Sequence, residues 1–253
     1  MNCPSCNSKN LIKKGTQNGK QRFQCKACGY KTVNPVYIRN VLIIGDLHEP
    51  FCLDGYLEFN IGLYKKYDIT DVIFIGDVID NHFSSYHETD PDGMGGGDEL
   101  DAAIAKLSRW YKAFPKATVT LGNHDLLLAR KAFSSKVPSR WIKDYSDVLQ
   151  TPNWKFVSDI VLDNVWYRHG VGTKAATKTG REMSSVVQGH FHTEAYVVWK
   201  VGRTFKTFGM QVGCGVDFRA YAMAYARSFP KPIISSGLVL DNGKLAFVET
   251  MDI

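Results

Sequence analysis

Short, dense runs of apolar residues punctuate this chain, and most of them stop at a glycine beside a polar residue. They are "YIRNVLIIGD" (37–46), "DVIFIGD" (71–77), "ATVTLGN" (117–123), "KFVSDIVL" (155–162), "NVWYRHG" (164–170) and "SSVVQGH" (184–190). Runs of this length, bounded by turn residues and rich in Val, Ile and aromatics, predict buried strands. Between the early ones, "DGYLEFNIGLYKKY" (54–67) and "DELDAAIAKLSRWYKAF" (98–114) repeat apolar residues at helical spacing. The first half therefore reads as βαβα. The later half is richer in hairpins, with "DN" at 163–164 and "DNG" at 241–243 as turns. The pattern predicts an α/β layered domain with mixed sheets and no internal repeat. "SSYHETDPDGMGGGD" (84–98) stands out as a long glycine-rich loop, a kind of segment that is usually functional or mobile in a compact domain.

The N-terminus has a different pattern. Residues 1–33 alternate two Cys-x2-Cys knuckles, Cys3/Cys6 and Cys25/Cys28, with strand-like "LIKK" and "RFQC" around a "GTQNGK" turn. Four thiolates at this spacing close a tetrahedral Zn²⁺ site, so residues 1–35 read as a zinc ribbon held by its metal. Two disulfides or a redox pair are the alternatives, and an N-terminus without an apolar export segment weighs against both. A short linker, "TVNPVYIR", leads to the main domain at 38–253. Cys52 and Cys214 read as buried free thiols.

Composition adds size and polarity. At 253 residues and 44% hydrophobic content the chain can bury one substantial core. No apolar run approaches the roughly 18 to 20 residues a membrane helix needs, so a cytoplasmic protein with no membrane contact is expected. The net charge of +6 is unevenly placed: residues 1–40 hold eight Lys/Arg and no acidic residue, leaving the remainder slightly acidic. The basic ribbon suits an anionic polymer.

The polar residues at the run ends carry the candidate chemistry. In order they are Asp46 and His48; Asp77 and Asp80; Asn123, His124 and Asp125; His169; and His190 and His192, which include five of the seven histidines. Strand termini on one edge of an α/β sheet converge, and carboxylate, imidazole and amide oxygen together suit divalent transition metals. The alternation in Asp-x-His and His-x-His puts each pair on one side of an extended segment. A lone strand-end histidine is more often structural. The set of five motifs, rather than any one of them, argues for a two-metal site.

"GDLH", "GDVID", "GNHD", "HG" and "GHFH", in that order, resemble the five blocks of the calcineurin-like metallophosphoesterase superfamily over about residues 40–250. The resemblance implies a four-layer α/β/β/α sandwich with a dinuclear centre acting through a metal-bridging hydroxide. By position, Asp46, His48 and His192 match the ligands of one cation and Asn123, His169 and His190 those of the other. Asp77 matches the bridging carboxylate. Mn²⁺ is the favoured metal, with Fe, Ni²⁺ or Zn²⁺ as alternatives. His124 matches the catalytic histidine, Asp80 the carboxylate that orients it, and Asp125 is an alternative partner. Two departures count against a serine/threonine phosphatase: Asn81-His82 stands where Arg-Gly is usual, and "GDLHEP" lacks the glycine after its histidine. Candidate substrate contacts are His82 and, from "GTKAATKTGRE", Lys174, Lys178 and Arg181; their alternative is an ordinary solvated basic face.

The N-terminal "CPSC" with "KKGTQNGKQRFQCKACGYKT" is similar to the zinc ribbons of insertion-element transposases, which implies contact with DNA or RNA, with a protein-docking or purely structural ribbon as the alternative. A phosphodiesterase or nuclease acting on nucleic acid or nucleotides is therefore expected first. A phosphomonoesterase, including a protein phosphatase, and an inactive nucleic-acid-binding adaptor are the alternatives.

Overall fold

In the computed structural model, which describes residues 1–86, 89–220, 222 and 230–252, the apolar runs of the main domain become two β-sheets. The chain divides into two units, residues 1–39 and 40–253. In the first, β1 (Leu11–Gln17), β2 (Lys20–Cys25) and β3 (Lys31–Thr32) form an antiparallel sheet in the order β1-β2-β3. The four cysteine sulfurs of this unit gather within 4.8 Å of one another.

In the second unit, β4 (Val41–Ile44), α1 (Tyr56–Lys66), β5 (Asp71–Phe74), α2 (Gly96–Ala113), β6 (Thr118–Thr120) and β7 (Lys155–Val157) build a parallel βαβα core. Between β6 and β7 run α3 (Leu127–Ser134) and α4 (Tyr145–Val148). The antiparallel pair β13 (Ser235–Leu240) and β14 (Leu245–Thr250) completes the first sheet, ordered β14-β13-β4-β5-β6-β7. The second sheet contains β8 (Asp159–Leu162), β9 (Val165–Arg168), β10 (Ser185–Gln188), β11 (Tyr196–Val201) and β12 (Lys206–Gln211), ordered β11-β12-β10-β9-β8. Helix α5 (Ala175–Glu182) packs against β10 and β12.

Alternation explains why the strand runs are apolar throughout. Val41 and Ile43 of β4 meet Tyr167, Val187, Phe208 and Met210 between the sheets, while Leu42 and Ile44 meet Leu63, Leu107 and Trp110 beneath α1 and α2. A strand buried on both faces must be apolar at odd and even positions alike. The result is the four-layer α/β/β/α sandwich.

One run behaves differently from its expected single strand. "KFVSDIVL" breaks at Ser158, giving β7 at the edge of the first sheet and β8 at the edge of the second. The run supplies an edge strand to each sheet, and periodicity cannot mark the change of sheet because both halves are similarly apolar. The turns at 163–164 and 241–243 do join hairpins, β8–β9 and β13–β14, with Asp163, Asn164, Asp241 and Asn242 all at positive φ. Residues 87 and 88 of the glycine-rich loop lie outside the described residues.

Candidate metal centre

Five strands of the two sheets, β4, β5, β6, β9 and β10, deliver the polar residues just beyond their carboxyl ends. Three overlapping groups form, Asp46, His48 and His192; Asp77, His169 and His190; and His48, Asp80 and His124, each with ligand-capable atoms within 4.8 Å of one another. Three of these residues hold left-handed backbone conformations: His48 at φ 50°, Asp77 at 47° and His190 at 74°. That conformation costs an L-residue energy and concentrates at functional sites.

Two of the glycines that end the runs, Gly122 and Gly189, are required by carboxylates of the clusters. A Cβ on Gly122 would lie 2.1 Å from Asp77 Oδ1, and one on Gly189 would lie 2.2 Å from Asp46 Oδ1. Asp77 has little room to yield, because its Oδ1 accepts the His124 backbone N–H at 2.8 Å. Gly122→Ala is therefore expected to displace Asp77, lowering bound metal per chain and reducing phosphoester hydrolysis roughly 10- to 100-fold, the range typical of disturbed ligand support. Metal analysis after desalting checks this; full metal content and activity would show that the turn relaxes around the methyl group.

His169 and His48 are each fixed by one nitrogen and present the other. His169 Nδ1 lies 2.9 Å from the Ile75 carbonyl, leaving Nε2 3.0 Å from Asn123 Oδ1 and 3.1 Å from Asp77 Oδ2. His48 Nδ1 is 2.5 Å from Asp80 Oδ1, while its buried Nε2 has no hydrogen-bond partner and lies 3.7 Å from Asp77 Oδ2. His192 Nε2 is 3.1 Å from Asp46 Oδ2, and Asp46 Oδ1 is buried without a hydrogen-bond partner. Donors about 3 Å apart are the separation expected at one cation with bonds of about 2.1 Å.

The electrostatics fit the same occupant. Burial alone would raise the pKa of Asp77, but His169, His124 and His48 hold it well below the usual carboxylate range. Burial opposes charge on His169, yet Asp77 and Asp46 lift it to about 10. Burial, aided by the neighbouring charge of His124 for His48 and of His169 for His190, lowers both of those imidazoles. The carboxylates therefore concentrate negative charge that favours a cation at the centre. Neutral imidazoles and ionised carboxylates are the forms that bind a metal.

His124 belongs to the third of these groups. Its Nδ1 donates to the Asp80 carbonyl at 2.6 Å and lies 3.3 Å from Asp80 Oδ1. Burial lowers its pKa, but Asp77 and Asp80 outweigh that and raise it. Asp80 thus steadies both His48 and His124. The alternative partner, Asp125, is placed elsewhere. Its carboxylate accepts the backbone N–H groups of Gly122, Asp77 and Val78 at 2.8, 2.8 and 3.0 Å, tying the "GDVID" turn to the "GNHD" turn. Burial beside Asp77 pushes Asp125 up to about 7.

The four candidate substrate cations separate. His82, in the short 3₁₀ turn His82–Ser84, is buried, with Nε2 accepting the Asp90 N–H at 3.1 Å and Nδ1 lying 3.9 Å from Asp80 Oδ2. Lys174 pairs with Glu194 and lies 6.0 Å from the Phe191 ring, beside the His190–His192 turn. Lys178 rests 5.6 Å from the Trp166 ring on the α5 side of the second sheet. Arg181 follows about 5 Å further along α5, exposed near its end. Two supports were not legible in the motifs. Asn81 donates from Nδ2 to the His124 carbonyl at 3.0 Å, and Glu99 of α2 accepts the His82 and Phe83 N–H groups at 2.7 and 3.1 Å. The only signal for Asn81 was its position directly after Asp80.

Two facing sheets whose carboxyl ends carry carboxylate–imidazole clusters define a metal-dependent phosphoester hydrolase. The chain belongs to the calcineurin-like phosphoesterase family, whose model matches residues 39–202. Among solved structures it is similar to vacuolar protein sorting 29 from Cryptosporidium parvum at 14% identity, covering 86% of this chain and 93% of that one, with a TM-score of 0.47. It is also similar to the phosphoesterase Yfce from E. coli at 13% identity, 79% and 88% coverage and a TM-score of 0.38. For the Pseudomonas putida nuclease MPE the values are 14% identity, 94% and 98% coverage and a TM-score of 0.40. No curated protein matches the chain in sequence. Among the described residues, no helix is long and apolar enough to cross a membrane.

Proposed function

We propose that this chain hydrolyses phosphodiester bonds of nucleic acid or nucleotides at a dinuclear centre. Asp46, His48 and His192 hold one divalent cation; Asn123, His169 and His190 hold the other; Asp77 serves both. The observation that carries this reading is Asp77 Oδ2, which lies 3.1 Å from His169 Nε2 and 3.7 Å from His48 Nε2 and so faces both donor sets with one oxygen. Two divalent cations, Mn²⁺ being favoured, supply Lewis-acid polarisation of the phosphate and lower the pKa of water. The chain's own part is to place them and to manage the proton. Asp80 holds His48 as a ligand and keeps a proton on His124 Nδ1, so that the protonated ring offers Nε2–H to the leaving oxygen. Lys174, paired with Glu194 and 6.0 Å from the Phe191 ring, is our candidate cation for the substrate phosphate.

Two features favour a diester over a monoester. The residue after Asp80 clamps the His124 backbone instead of offering a guanidinium to a phosphate dianion. The ribbon concentrates positive charge, with Lys13 and Lys14 exposed on β1. Its Cys3–Cys28 and Cys6–Cys25 sulfur pairs are both 3.6 Å apart, close to the roughly 3.8 Å of a tetrahedral zinc with 2.3 Å bonds. We assign it one structural Zn²⁺ and contact with DNA or RNA. The complete ligand set favours catalysis over an inactive adaptor.

The test is hydrolysis of bis-nitrophenyl phosphate against nitrophenyl phosphate, before and after mild chelation. Diester turnover lost on chelation and restored by Mn²⁺ is expected, with zinc retained by the ribbon. A preference for the monoester would make this a phosphomonoesterase, and turnover indifferent to thorough chelation would remove the two-metal reading. Lys13→Glu with Lys14→Glu is expected to weaken polynucleotide binding and reduce the salt slope by about two. An unchanged slope would leave the ribbon a structural or protein-docking element.

A further inference from the structure

The segment that follows the "GNHD" turn is not explained by the metal centre. From Leu126 to Lys143 it carries five basic residues and no acidic one. It also leaves large rings in solvent: Phe133 is 84% exposed and Trp141 78%, and Tyr86 beside it is 60% exposed. Isolated surface leucines need no explanation, but exposed aromatic rings set among cations do.

The segment leaves the metal-centre turn and returns to it. Leu126 and Leu127 donate their backbone N–H groups to the Gly122 and His124 carbonyls at 3.1 Å each, so α3 grows directly out of the turn that presents Asn123 and His124. At its far end the Tyr145 hydroxyl donates to the Asp125 carbonyl at 3.0 Å. Tyr86 belongs to a different stretch, six residues after Asp80. Arg130 and Lys131 both lie 5.3 Å from its ring centroid, which joins the two stretches into one surface. Arg140 sits next to Trp141, in the 3₁₀ turn Ser139–Trp141.

We propose that this surface, with Tyr86, Arg130, Lys131, Phe133, Arg140 and Trp141 as its working residues, holds a single-stranded polynucleotide beside the metal centre. The proposal rests on the phosphodiesterase reading above and names its substrate class. Charge complementarity selects a polyanion. The rings select unpaired bases, because a base in a duplex is closed to stacking on a protein side chain while an unpaired one offers its face. The arrangement also disfavours a lipid surface. Pro138 and the 3₁₀ turn interrupt the segment after the eight-residue helix α3, so it offers no continuous amphipathic helix to lie in a membrane interface.

The experiment measures binding of a fluorescent, hydrolysis-resistant thymidine oligonucleotide of about 20 residues. The full-length protein is compared with a Phe133→Ala/Trp141→Ala variant and with an Arg140→Glu variant. All three positions are exposed, and thermal melting confirms that each variant folds. Removing the rings is expected to weaken single-strand affinity about tenfold or more while changing duplex affinity far less. Arg140→Glu is expected to weaken single-strand binding and lower its salt slope by about one or more. Unchanged single-strand affinity in both variants overturns the proposal. So does an equal loss for duplex and single strand, or a loss confined to phosphatidylserine vesicles or to self-association, which would assign the rings to a lipid surface or a second copy. The underlying reading fails separately: wild-type protein inert towards bis-nitrophenyl phosphate with Mn²⁺ removes the phosphodiesterase. Normal turnover with variants that bind oligonucleotide like wild type removes only the surface.

Discussion

Replacing Asp77 with Asn should abolish turnover and take metal with it. Asp77 Oδ2 faces His169 Nε2 at 3.1 Å and His48 Nε2 at 3.7 Å, and the carboxylate carries negative charge that both clusters use. Asn keeps the shape and the oxygen but removes the charge. Each cation then loses a share of anionic ligation, and the several kcal/mol of charge stabilisation that metals give a phosphoryl transition state goes with it. At 1.36 kcal/mol per tenfold, a loss on the order of 10³ or more in kcat is expected. His190→Ala removes a ligand from the Asp77, His169 and His190 cluster alone, so it should lower metal content by about one cation per chain and lower activity comparably. Metal analysis beside diester kinetics reads both. If Asp77→Asn keeps two cations and most of its activity, the shared-carboxylate arrangement is wrong.

The arrangement was legible in outline because its residues lie at strand ends, where a break in an apolar run is easy to see. Asp46, Asp77, Asn123, His169 and His190 could each be read in this way, and the buried sheets follow from the same runs. What could not be read depends on which way a side chain turns. Asp125 and Asp80 are both carboxylates near His124 in sequence or motif, yet a backbone turn sends Asp125 to three N–H groups and leaves Asp80 against two imidazoles. His82 is polar and next to the centre in sequence, and it lies buried in a 3₁₀ turn. Lys178 falls four residues after Lys174, about 6 Å along α5, and that one turn takes it from the ligand segment to Trp166. The split of "KFVSDIVL" between two sheets depends on partners brought together from other parts of the chain, which local pattern cannot encode.

His124→Ala should separate metal binding from proton transfer. In the proposed centre His124 is not a metal ligand, although it lies near His48 and Asp80, so the variant is expected to keep near wild-type metal content. Its ring is held by Nδ1, at 2.6 Å from the Asp80 carbonyl, and its pKa stands above the ordinary imidazole value because Asp77 and Asp80 outweigh burial. The protonated form therefore persists to higher pH than in water, with Nε2–H free to meet the leaving oxygen. A nitrophenolate leaves without a proton, whereas a sugar or alkyl alkoxide needs one. General acid catalysis is worth about 10²–10⁴, so kcat on a dinucleotide or alkyl diester should fall by about that factor, while bis-nitrophenyl phosphate loses far less. In the wild type the alkyl substrate should also lose rate as pH rises through the His124 pKa, since the acid form is the one consumed. The variant should lack that limb of the profile. Equal losses on both leaving groups, with the high-pH limb retained, would reduce His124 to a phosphate contact and transfer the proton's source to solvent.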